Sequence, residues 1–105
     1  MLVDRQLAIP IPHEAIATFC RKWGIRRLAF FGSVVRDDFT PDSDVDVLVE
    51  FKPDRIPGWE FFGTMPDELS EILSGRRVDL LTFDSISRWI RPNVMGEAVD
   101  EYTEV

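Results

Sequence analysis

Two short segments restrict this chain more than any other feature: Gly32-Ser33 and, after ten intervening residues, Asp44-Val45-Asp46, each joined to a strand-like apolar run. Leu28-Ala29-Phe30-Phe31 ends at a glycine, the pattern of a buried strand that stops where the backbone must turn. Val45, Val47, Val49 and Phe51 alternate with Asp44, Asp46, Leu48 and Glu50, a period-two strand. Asp44 and Asp46 then share one face, with Cα atoms roughly 6.6 Å apart at ~3.3 Å rise per residue, while the valines face a core. Two bare carboxylates ~5 Å apart repel by about 3 kcal/mol at an effective dielectric of ~20. Fixing them on a rigid element therefore invites a hard divalent cation.

Magnesium suits such a pair better than zinc, because it takes one or two carboxylates together with substrate phosphates. The softer ligands are missing: Cys20 and His13 are each the sole residue of their type, which also excludes a disulfide and a Cys/His nucleophile pair. A calcium loop is excluded as well, since counting from Asp42 or Asp44 finds no glycine at the sixth place and no glutamate at the twelfth. Asp79, an acid inside Val78-Asp79-Leu80-Leu81, is the candidate third carboxylate if its strand lies beside that of Asp44 and Asp46. Gly32 lets the backbone come close to a ligand, and Ser33 offers a hydroxyl and an amide to a phosphate. Arg36, one turn further on, either reaches the phosphates or pairs with Asp38 or Asp42.

Around this centre the pattern predicts a first helix over residues 13–23, with Ala15, Ile16, Phe19, Cys20 and Trp23 on one face and Gly24 past its end. Strands are expected over 25–31, 45–51 and 78–82. A helical stretch over 59–74 carries Phe62, Met65, Leu69, Ile72 and Leu73 as its buried stripe, divided near Pro66 and ended by Gly75. Asp84-Ser85 caps a further helix through Ile86, Trp89 and Ile90, with an apolar pattern resuming over 94–99 before an acidic tail over 100–105. The fold class is α/β or α+β: a small mixed sheet of three or more strands packed against helices, in one domain over residues 1–105.

The wording of the chain resembles a known family. Gly32-Ser33, ten residues, then Asp44-x-Asp46 is similar to the signature of the DNA polymerase β-like nucleotidyltransferases. The context, Phe31 to Phe39, Pro41 to Phe51, Asp67 to Leu73 and Arg77 to Thr82, looks like the minimal nucleotidyltransferase branch. The resemblance implies that Asp44, Asp46 and Asp79 bind two Mg²⁺ ions, with Asp79 as general base, and that Gly32 and Ser33 hold the triphosphate of ATP. It further implies an antitoxin that transfers AMP to a tyrosine of a HEPN-domain ribonuclease toxin. Where many relatives have glycine after the arginine, this chain has Asp37, which adds negative charge near the triphosphate.

A net charge of −7 opposes direct nucleic-acid binding, which depends on Lys and Arg displacing counterions. The short basic pairs Arg21-Lys22, Arg26-Arg27 and Arg76-Arg77 read as solvated ends of elements. No secretory signal or membrane-length apolar run is evident, so the expected location is the cytoplasm. With 105 residues, no additional domain for recognising an acceptor is expected. Two alternatives stand beside the enzyme: an antitoxin that neutralises its partner by occlusion, and transfer to a small molecule such as an aminoglycoside. The aromatic stretch over 59–62, and Trp89, would then be either partner-facing or part of the domain's own core.

Overall fold

Helix α1 (His13–Trp23) buries Ile16, Phe19 and Cys20, whose three- and four-residue spacing brings them onto one stripe. Gly24 closes it in the left-handed region at φ 71°, its amide donating to the carbonyl of Cys20. A Cβ added to Gly24 would stand 2.3 Å from the Cβ of Arg55, so both backbone angle and close approach require glycine. The computed structural model describes residues 7, 9–35, 39–83 and 98–104.

The strands are β1 (Ile25–Phe31), β2 (Val45–Phe51), β3 (Val78–Thr82) and β4 (Val99–Thr103), in the order β3-β2-β1-β4. β1 runs antiparallel to both β2 and β4, whereas β2 and β3 are parallel. The parallel pair needs a crossover, and helix α2 (Thr64–Ile72) lies within it. Val45, Val47 and Val49 meet Ile16 and Phe19 of α1 and Met65 and Leu69 of α2 in the main core, so both helices cover one face of a mixed sheet, as the sequence predicts. Each such side chain contributes roughly 1.5–3 kcal/mol when fully buried. The other face carries a smaller apolar cluster of Phe31 and Leu48, with Leu81, Phe83 and Ala98 packed on it. No helix among the described residues is long and apolar enough to cross a membrane.

Two expectations need correction. The stretch over 59–74 is not one helix divided at Pro66: a 3₁₀ turn (Trp59–Phe62) is followed by Gly63 and then α2. Pro66 sits in the first turn of α2, where backbone amides have no partner within the helix and proline is tolerated. Met65, Leu69 and Leu73 are buried as expected, but Phe62 is 78% exposed because it belongs to the separate turn.

The second correction concerns the acidic tail over 100–105, whose first four residues, with Val99 before them, form strand β4. Its acids are held by side chains on neighbouring elements: Asp100 by Arg27 at 2.9 Å, and Glu101 by His13. Just past its end, Glu104 meets Lys52 at 2.7 Å. Tyr102 packs against the main core. The helix expected after Asp84-Ser85, with Trp89 and the start of the apolar pattern over 94–97, lies outside the described residues.

Candidate active site

The antiparallel register sets Phe31 opposite Asp46, and the parallel register sets Asp46 beside Asp79 and Val45 beside Val78. Adjacent strands stand about 4.8 Å apart, so the two aspartates are direct neighbours. Because Val45 and Val47 point to the helices, Asp46 projects from the opposite face. Gly32 follows Phe31 directly. Glycine turn, serine and aspartates therefore gather at one end of the sheet.

Gly32 is buried with φ 75°, and a Cβ placed there would come within 2.2 Å of Asp46 Oδ2. The carboxylate lies against the bare backbone of the turn, which no other residue type would leave open. Ser33 is half-buried in the 3₁₀ turn Gly32–Val35, which Val34 anchors in the core. Asp79 is exposed although its strand is apolar, because Val78 and Leu80 face the helices and Asp79 does not. Arg36 and Asp37 lie outside the described residues.

Asp44 is engaged differently. Its Oδ1 stands 3.0 Å from Nε of Arg77, whose Nη2 also donates to the carbonyl of Asp42 at 2.8 Å. The amide of Val45 donates to the carbonyl of Arg77 at 2.8 Å, continuing the β2–β3 pairing into this corner. Thr40 and Ser43 close the preceding loop, the Thr40 amide donating to Ser43 Oγ at 3.0 Å and the Ser43 amide to the Thr40 carbonyl at 2.9 Å. Sequence reasoning placed Arg77 among solvated ends of elements and missed this contact. The signal was its position just before Val78-Asp79: if the strand is parallel to β2, that residue faces Asp44.

Among the described residues, no group of three or more His, Cys, Asp or Glu is gathered to hold a metal ion. Asp46 and Asp79 are brought together while Asp44 is paired with Arg77. Both members of that pair are well exposed, the Arg77 side chain at 76% and that of Asp44 at 49%, and such pairs are worth only about 0–1 kcal/mol. A hard cation arriving at Asp46 and Asp79 can recruit Asp44 at small cost. The donor set, carboxylate oxygens with no sulfur or imidazole among them, fits Mg²⁺.

Comparison with known proteins agrees with the fold. The model of the nucleotidyltransferase domain family matches residues 13–103. Protein adenylyltransferase MntA of Thermococcus cleftensis is 40% identical over 78 residues, covering 74% of this chain and 76% of that protein. A solved structure provisionally identified as a minimal nucleotidyltransferase aligns at TM-score 0.68 and 32% identity, over 83% of this chain and 86% of that one. A toxin–antitoxin crystal structure with AMP-PNP shares the fold at TM-score 0.70 and 19% identity, over 89% of this chain and 74% of that one.

Proposed function

This chain belongs to the nucleotidyltransferase domain family, and on that premise we propose that it transfers AMP from ATP to a hydroxyl of a partner protein. The partner in this reading is the HEPN-domain ribonuclease toxin of a toxin–antitoxin pair, with this chain as antitoxin. The observation that carries the chemistry is the close fit of Asp46 against the bare backbone of Gly32, with Asp79 on the adjoining strand. Phosphate-contacting turn and carboxylates then act on one substrate rather than two.

Gly32, Ser33 and, further along the sequence, Arg36 bind the triphosphate, the glycine by admitting it to the backbone and the serine through hydroxyl and amide. Asp44, Asp46 and Asp79 would hold two Mg²⁺ ions, which when bound acidify the acceptor hydroxyl and neutralise the departing pyrophosphate. Asp79 takes the proton of the acceptor hydroxyl. The hydroxyl oxygen bonds to the α-phosphorus, the bond from that phosphorus to the oxygen bridging the β-phosphate breaks, and pyrophosphate leaves. The acceptor keeps the AMP.

Intact mass of the proposed partner toxin, after incubation with the chain, ATP and Mg²⁺, tests the reading. One or more AMP masses are expected, absent with the Asp44→Asn/Asp46→Asn variant. A second reading, neutralisation by binding alone, is favoured by the exposure of Trp59 at 88% and Phe62 at 78%. It is the conclusion if the variant still forms the complex and no mass is gained with the unaltered protein.

A further inference from the structure

A groove of about 830 Å³ runs beside β3, and Asp79 forms part of its wall. Ile56, Phe61, Phe62, Leu80 and Leu81 are also part of its wall. Ile56, Trp59 and Phe62 are the exposed large apolar residues among those described, at 70%, 88% and 78%. A 3₁₀ turn has three residues per turn, so Trp59 and Phe62 stand one above the other on the same side. Phe61 points differently: it packs edge-to-face on Phe51, ring centroids 6.1 Å apart, and fastens the turn to the sheet. One aromatic thus anchors the turn while Phe62 lines the groove and Trp59, outside its wall, is held out on the same side of the turn, a placement that burial in this chain's own core does not explain.

The chemistry of the groove narrows its occupant. Among the described residues, the ionisable ones in its wall are Glu50 and Asp79. Of these, Glu50 has Arg26 3.8 Å away. An apolar, aromatic-rimmed channel that passes Asp79 fits a segment combining apolar side chains and a hydroxyl. We propose that this groove seats the segment of the partner protein that bears the acceptor hydroxyl, with Ile56, Trp59 and Phe62 as its anchors. The inference rests on the reading of Asp79 given above and adds the surface that brings the acceptor to it. Aromatics in such a place carry a large share of binding energy at protein interfaces.

The test uses Trp59→Ala/Phe62→Ala in the full chain, with the proposed partner toxin as the probe. Both residues are exposed, so the variant is expected to unfold at the same temperature as the unaltered protein, and the single variants serve if it does not. Dissociation constants for the toxin and for a non-hydrolysable ATP analogue with Mg²⁺ are measured, then kcat and KM for AMP transfer. Expected is a rise of about tenfold or more in the toxin's Kd and KM, with kcat at saturating toxin and affinity for the ATP analogue unchanged. Unchanged toxin binding overturns the inference, and so does weaker binding of the ATP analogue, which would make the groove the seat of the base. Loss of self-association in the variant would make the occupant a second copy and overturn it equally. If the unaltered protein binds the toxin but transfers no AMP, the functional reading fails while the Kd arm still decides the groove.

Discussion

At the scale of single residues, Gly32 and Arg77 set the state of the site. Gly32→Ala places a methyl 2.2 Å from Asp46 Oδ2 on a backbone at φ 75°, adding about 1–2 kcal/mol of left-handed strain to the displacement of the carboxylate. The expected outcome is loss of AMP transfer of about a hundredfold or more, with a destabilisation of about 1–3 kcal/mol in urea titration. Arg77 acts in the opposite sense, because its guanidinium occupies Asp44 before any cation does. Arg77→Gln is expected to raise affinity for Mn²⁺ by a few-fold, the size set by an exposed ion pair worth about 0–1 kcal/mol. Calorimetric titration of the nucleotide-free protein checks it, and an unchanged or weaker affinity would mean that Arg77 does not compete for Asp44.

At the scale of elements, β4 and α2 hold the sheet that carries the aspartates. β4 covers the open edge of β1 and brings Tyr102 against the main core. Shortening the chain after Ala98 would expose that edge and leave Arg27 and Lys52 without Asp100 and Glu104. The shortened chain is expected to lose its cooperative thermal transition by circular dichroism. Leu69 is fully buried on α2, and Leu69→Ala is expected to cost about 2–5 kcal/mol in chemical denaturation. Pro66→Ala should change stability by no more than about 0.5 kcal/mol, since the proline occupies a first-turn position with no amide bond to restore.

At the scale of the whole molecule, acid and thiol chemistry report how the layers stay together. Hydrogen bonds from Lys22 and Trp23 lower the carboxyl of Glu68 below its ordinary 4.5, and this contact ties α1 to α2. The carboxyl of Glu104 is lowered by Lys52 in the same way. For a lowered carboxyl, the stabilisation is present above the ordinary value and fades as pH falls through the folded one. Stability is therefore expected to decline only below about pH 4.5, with 1 M salt reducing the difference because both carboxyls are partly open to solvent. Burial pushes the Cys20 thiol up to about 12, with the Glu101 charge adding to the effect. At pH 8 a thiol reagent should label Cys20 only at the rate of opening, and fast labelling of the native protein would contradict its burial.

The sequence by itself determined the local pieces. Alternation fixed β2, the apolar run ending at Gly32 fixed β1, and the helical stripe closed by Gly24 fixed α1, because these depend on side chains a few residues apart. It also named the residues of the candidate site, since a phosphate turn and two aligned acids leave a short, specific spacing. What only tertiary structure decided was every relation across long separations. The parallel register that sets Asp79 beside Asp46 belongs to this class, as does the capture of Asp44 by Arg77. β4 looked like an acidic tail because its carboxylates meet Arg27 and His13 only after the chain has returned to β1 and α1. The outward pair Trp59 and Phe62 was hidden for a related reason. Hydrophobic residues signal burial in a sequence, and only the packed fold shows which of them Phe61 leaves outside.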